Sequence, residues 1–183
     1  MNTSDNEVII EETVQWLERA VIGLNLCPFA KAVHVKKQIR YVVSAATTPE
    51  ALLEDLLREA QLLVETSAEA IDTTLLIHPH VLTDFLDYND FLDIADELLV
   101  DHDLADDLQV ASLHPRYQFF GTKPDDIDNF TNRSPYPTLH LLREASVTKA
   151  VAAFPDAAEI FEKNIEKLQQ LGREGWIALG LRV

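Results

Sequence analysis

The sequence predicts an α/β fold: one domain spanning residues 1–183, with a small, mainly parallel sheet of about three strands flanked by helices. Three observations predict it. Short runs of β-branched and apolar residues alternate with longer stretches of helical periodicity. Each run is bounded by proline, glycine or small polar residues. The order reads α-β-α-β-α-β-α-α, and strands joined by helices favour parallel pairs.

Along the chain, Ser4 and Glu7 have the spacing of a capping box. Ile10, Val14, Leu17, Val21 and Leu24 follow at helical spacing, which predicts a helix over about 6–24 with Gly23 as its stop signal. Asn25 to Ala30 reads as a compact loop or the start of a short helix. Residues 38–45 hold Ile39, Tyr41, Val42 and Val43 and predict the first strand. Thr48 and Pro49 fit the N-cap and first position of a helix whose apolar face is Leu52, Leu53, Leu56, Ala60 and Leu63.

Residues 73–77 predict the second strand, ending in His78-Pro79-His80. Thr83, Asp84 and Asp87 open a helix with the stripe Phe85, Tyr88, Leu92, Ala95 and Leu99. Residues 108–113 predict the third strand, ending in His114-Pro115. Residues 123–137 carry Pro124, Pro135 and Pro137 and read as a loop, long enough to suggest function. Thr138 is placed as the cap of a helix running through Leu139 and Leu142 toward Val151. Pro155 opens a last helix to about Leu171, stopped by Gly172, and the apolar tail from Trp176 is expected to dock on the core.

Composition excludes classes of function. Lys+Arg total 15 against Asp+Glu 31, a formal charge of -16, so a nucleic-acid partner is not expected, because phosphate binding draws on a basic surplus. An anionic membrane face is disfavoured for the same reason. Cys27 is the one cysteine, so no intrachain disulfide forms. The first residues lack a basic and an apolar signal region, and no apolar run reaches membrane-spanning length, so a soluble, cytoplasmic protein is the expectation.

Four sets of residues could carry chemistry. In parallel sheets ligands gather beyond the carboxyl ends of strands. There the sequence puts His78 and His80 after the second strand and His114 and Arg116 after the third. These histidines are either structural or part of a site, and His78, His80 and His114 have the ligand count of a divalent metal centre as one alternative. Cys27 precedes Pro28 at a possible helix start, where it is either an activated nucleophile or a small buried hydrophobe. His140, Arg143 and Glu144 share one side of the predicted helix, with His114 and His140 as candidate proton carriers. Arg116, Arg133 and Arg143, with Tyr136 beside them, could hold a phosphate or carboxylate, or could pair with local acids. The ladder Asp84, Asp87, Asp90, Asp93 and Asp96 lacks the spacing of a calcium loop and reads as a solvated face. With five glycines and no glycine-rich phosphate loop, a dinucleotide site is not expected, and no cofactor is.

Three stretches carry a resemblance: Gly23-Leu24-Asn25-Leu26-Cys27-Pro28-Phe29-Ala30, Leu113-His114-Pro115-Arg116-Tyr117-Gln118-Phe119, and Asn132-Arg133-Ser134-Pro135-Tyr136-Pro137-Thr138-Leu139-His140-Leu141-Leu142-Arg143. Together they resemble the bacterial family called domain of unknown function 1415, over nearly the whole chain. The resemblance implies one bacterial domain and brings no activity with it. The residues lead to an enzyme acting on a small anion through Cys27, His114 and His140. The alternatives are a non-catalytic anion-binding module and a metal-dependent hydrolase.

Overall fold

The computed structural model describes residues 3–153 and 159–182. Helix α1 (Thr3–Trp16) runs directly into a six-residue π-helical segment, Leu17–Ile22. It already contains Ser4, so Ser4 is not its cap. The buried side is Ile9, Thr13, Trp16, Leu17, Ala20 and Val21, shifted from the predicted stripe. The wider π turn adds a residue and rotates the faces that follow it. At Gly23 a Cβ would lie 2.3 Å from the Arg19 carbonyl oxygen, so the turn closes only around glycine.

Short helix α2 (Ala30–Val35) leads to strand β1 (Ile39–Val43). Helix α3 (Pro49–Glu65) starts as predicted, with the Thr48 side chain accepting from the Ala51 amide. Strand β2 (Thr73–Ile77) is wholly buried, and helix α4 (Phe85–Asp101) is capped by Asp84, which accepts from the Leu86 amide. Strand β3 (Leu108–Leu113) is followed by a loop holding a 3-10 turn, Ile127–Asn132.

Residues 138–143 form strand β4 (Thr138–Arg143), not the start of the predicted helix. Helix α5 (Glu144–Ala153) begins where the strand stops. Leu139 and Leu141 are fully buried on one face while Thr138 and His140 turn to the other. A central strand buried on both faces has no polar alternation, so leucines that favour helices in isolation are held extended by two neighbours. Helix α6 (Ile160–Ala178) breaks at Gly172, whose φ of 64 is left-handed, and then continues. Gly172 kinks the helix without ending it. The predicted start at Pro155 lies outside the described residues.

The fold is therefore mixed α/β, with four strands in the order β1-β2-β4-β3. The expected three-stranded, mainly parallel sheet is corrected on both counts. β1 pairs parallel to β2, while β4 runs antiparallel to both β2 and β3. Inserting β4 leaves β2 and β3 pointing the same way without touching. Their carboxyl ends, Ile77 and Leu113, both face Thr138 at the start of β4.

One sheet face packs Leu76, Leu139 and Leu141 against α3 and α4 through Leu56, Leu63 and Phe91. Burying each such side chain stabilises by about 1.5–3 kcal/mol. The other face packs Leu75 and Ile77 against Ile9 and Tyr136. Next to it Trp16, Leu17, Phe130, Leu168 and Trp176 form a further cluster. Trp176 meets the Phe130 ring edge-on at 5.0 Å, so the apolar tail docks as expected. Among the described residues no helix is long and apolar enough to cross a membrane.

Candidate functional site

His78 and His114 extend from the parallel ends of β2 and β3, and both are fully buried. Their rings flank Tyr88 of α4, with centroids at 5.7 Å and 5.0 Å. The Tyr88 hydroxyl donates to the Thr138 carbonyl at 2.8 Å and accepts from the Leu113 amide at 3.0 Å. It thus ties the end of β3 to the start of β4. Phe85 packs on His114 at 5.5 Å and on Tyr117 at 5.1 Å, extending the ring stack outward. The histidine convergence was readable from the strand ends, whereas Tyr88 and Phe85 read only as a helix stripe.

Hydrogen bonds fix the histidine tautomers, because a carbonyl can only accept. His78 Nδ1 donates to the Val81 carbonyl at 3.0 Å, and its Nε2 is buried without a partner. His114 Nε2 donates to the Leu82 carbonyl at 3.2 Å, and its Nδ1 accepts from the Arg116 amide at 3.0 Å. Burial is the main reason both rings are held down to about 4, and the cations Arg116 and Arg133 press the same way on His114. Both rings are neutral at pH 7.

Two of the three predicted arginines gather here. Arg116 donates to the Thr83 carbonyl at 2.6 Å and pairs with Asp84 at 3.4 Å. Arg133 donates from Nε to the Tyr117 carbonyl and from Nη2 to the Pro124 carbonyl, with its guanidinium 4.3 Å over the Phe130 ring. Burial and the nearby charge of Arg173 both make the Arg133 cation harder to hold. Asn129, fully buried, shapes this loop by accepting from the Phe119 amide and the Thr122 hydroxyl and donating to the Lys123 carbonyl. A buried asparagine inside a polar loop leaves no signal in the sequence.

Arg143 lies elsewhere. It pairs with Leu108 at the far edge of the sheet, five residues along β4 from Thr138, or about 17 Å. Its Nη2 donates to the Leu63, Thr66 and Ile71 carbonyls, closing the C-terminal end of α3, where positive charge is favourable. His140, Arg143 and Glu144 do not share a helix side, because the first two are on a strand and point to opposite faces. His140 sits mid-strand with Nε2 2.7 Å from the Thr73 hydroxyl. That hydroxyl gives its proton to the Leu141 carbonyl, so His140 is the donor. Burial holds His140 down to about 4. Tyr136 is buried, its hydroxyl donating to Glu12 and its ring 4.6 Å from the Arg182 guanidinium. Burial and the Glu12 bond push its hydroxyl up to about 12.

Cys27 packs against the Trp16 and Leu26 cluster. The Phe29 and Ala30 amides reach toward its sulfur and favour the thiolate, but burial outweighs them and pushes the thiol up. A groove of about 300 Å³ nearby is lined by Asn25, Pro28, Lys163, Asn164, Lys167 and Gln170, among others; Cys27, His114, Arg133 and His140 do not line it. The single Cys/His/Arg pocket expected from the sequence is not assembled there.

The trio His78, His80 and His114 does not fit a metal-ligand set. His80 is exposed while the other two are buried, and three of the four ring nitrogens of His78 and His114 are bonded to protein. Among the described residues no group of three or more His, Cys, Asp or Glu is arranged to hold a metal ion. The acidic ladder from Asp84 to Asp96 is exposed throughout, as a solvated face should be. Partial burial, and then the charge of Asp93, push the Asp96 carboxyl upward.

The chain belongs to the family described as "Protein of unknown function (DUF1415)", which matches residues 8–178. No curated protein and no solved structure matches the chain.

Proposed function

Taking that family membership as premise, with no activity attached to it, we propose that the protein binds a small phosphate- or carboxylate-bearing molecule at the His114 edge. One observation carries this reading. Arg116 and Arg133 both stand near His114, and Arg173 lies close to Arg133, in a chain whose formal charge is -16. Cations placed together are costly unless an anion joins them. Arg133 spends Nε and Nη2 on backbone carbonyls, which fixes the orientation of its planar fork. Asp125 pairs with Arg173 at 3.2 Å while 85% exposed, so a ligand can displace it at little cost.

Binding without chemistry has the better support. Neutral, fully bonded His114 has no free lone pair to act as a base. A second reading, nucleophilic catalysis through Cys27 with His114 and His140 moving protons, draws on the Phe29 and Ala30 amides that reach the sulfur.

Thermal unfolding with inorganic phosphate, acetate and citrate tests the binding reading. A ligand at a hundred times its Kd adds about 2.7 kcal/mol. The melting temperature should rise with ligand concentration in the wild type and much less in Arg133→Ala. No rise across the panel, or an undiminished rise in that variant, overturns the reading.

A further inference from the structure

Three consecutive carbonyls ahead of α4 are each gripped by a side chain from another part of the chain or from the strand before it. Val81 is held by His78 Nδ1 at 3.0 Å, Leu82 by His114 Nε2 at 3.2 Å, and Thr83 by Arg116 Nη2 at 2.6 Å. The middle residue, Leu82, has φ 54, a left-handed backbone that a branched side chain rarely adopts. Such a conformation persists only where the surroundings impose it. Here two neutral imidazoles and one guanidinium impose it.

Neither ring has room for a second proton. At His78 it would sit on Nε2, which is buried without an acceptor. At His114 it would sit on Nδ1 and face the Arg116 amide, donor against donor. We propose that Val81–Thr83 is an acid-released strap, held shut by the neutral rings of His78 and His114 and let go when either takes up a proton. The charged neighbours agree. On the loop side His114 faces Arg116 and Arg133; on the α4 side it faces Asp84 and the Tyr88 ring. His78 faces His114 and Tyr88. Two cations against one carboxylate oppose a further positive charge. Burial acts in the same direction and outweighs the Val81 and Leu82 carbonyls, which favour the charged rings, so both rings lie well below the usual imidazole range. Release would free the Arg116 guanidinium from Thr83 and open the ring stack to water. The inference stands on the strap's own contacts and is independent of anion binding.

Amide hydrogen exchange from pH 7 to 4.5, corrected for intrinsic rates, tests it. The Leu86 and Tyr88 amides report on the strap, since they donate to the Asp84 side chain and carbonyl at 2.9 Å and 3.1 Å. Their protection should fall about tenfold per pH unit below about 6.5 for each proton taken up. The β2 amides open only with the whole fold, so their protection should stay above that of Leu86 and Tyr88 at every pH. In the double variant His78→Asn, His114→Gln, the amide nitrogens can still donate to Val81 and Leu82 but do not titrate, and the slope should vanish. The Asp84 side chain is present in both proteins, so an equal slope in the variant would assign the effect to Asp84 and overturn the strap. Protection of Leu86 and Tyr88 equal to that of the β2 amides at every pH would overturn it too, since all would then exchange through global unfolding. Should the variant not fold, ring titration of the wild type by NMR decides. Protonation of His78 and His114 at the midpoint of the Tyr88 loss supports the strap, and a separate midpoint overturns it.

Discussion

Arg40 and Glu59 form a two-pronged ion pair between β1 and α3, with Nε to Oε2 at 2.7 Å and Nη2 to Oε1 at 3.2 Å. Glu59 is buried, with its side chain 4% exposed, while that of Arg40 is 36% exposed. Removing the arginine therefore strands a carboxylate away from water. Arg40→Ala should cost roughly 2–4 kcal/mol, somewhat less than a fully buried broken pair because solvent reaches one partner. Urea unfolding of the variant checks this. A loss below 1 kcal/mol would mean that Glu59 finds another partner or a proton.

Tyr88→Phe keeps the ring between His78 and His114 but deletes the hydroxyl that serves the Thr138 carbonyl and the Leu113 amide. Both groups lie inside the sheet, so the cost should be about 1–3 kcal/mol, the range for leaving a buried polar group unsatisfied. Chemical denaturation gives the number. An unchanged midpoint would show that β3 and β4 hold their ends together without the tyrosine.

Arg143 separates stability from binding. It closes the end of α3 by bonding the Leu63, Thr66 and Ile71 carbonyls. Arg143→Met should lower the melting temperature measurably yet leave the phosphate-induced rise as large as in the wild type. If the rise disappears as well, Arg143 belongs to the anion site despite its place on the opposite sheet edge.

The contrast among these residues shows what was legible in the sequence. Strands β2 and β3 were readable end to end because His78-Pro79 and His114-Pro115 punctuate them. β4 was not, since Leu139, Leu141 and Leu142 suit a helix equally well and a doubly buried strand shows no alternation. That one element reversed the expected strand sense and moved His140 and Arg143 off a common helix face. The meeting of His78 with His114 survived, because inserting β4 between two strands keeps them codirectional. The commitments of Arg116, Arg133 and Arg143 to distant carbonyls are tertiary and have no local signature. The same holds for Cys27, which its motif left as either a helix-start thiolate or a small buried hydrophobe and which packs with Trp16 and Leu26.

Stability should fall on acidification before the carboxylates titrate. His78, His114 and His140 are each held down to about 4 by burial, against about 6.5 when unfolded. Between these values the unfolded chain binds protons that the folded chain does not, so stability is full above about 6.5 and lost as the pH falls toward 4. Each ring accounts for up to roughly 3 kcal/mol by pH 4. Urea midpoints at pH 7, 6 and 5 should decline steadily. A flat profile over that window would mean that these rings are already protonated, or are exposed, in the folded state.

Cys27 should be a slow thiol. Burial raises it, and the pull of the Phe29 and Ala30 amides toward the thiolate is the smaller effect. Iodoacetamide attacks only the thiolate, so at pH 7 the folded protein should react several-fold more slowly than the same chain in urea. The opposite order, with fast labelling below pH 7 in the folded protein, would show that the two amides outweigh burial. Nucleophilic catalysis would then become the stronger reading of the Asn25–Ala30 loop.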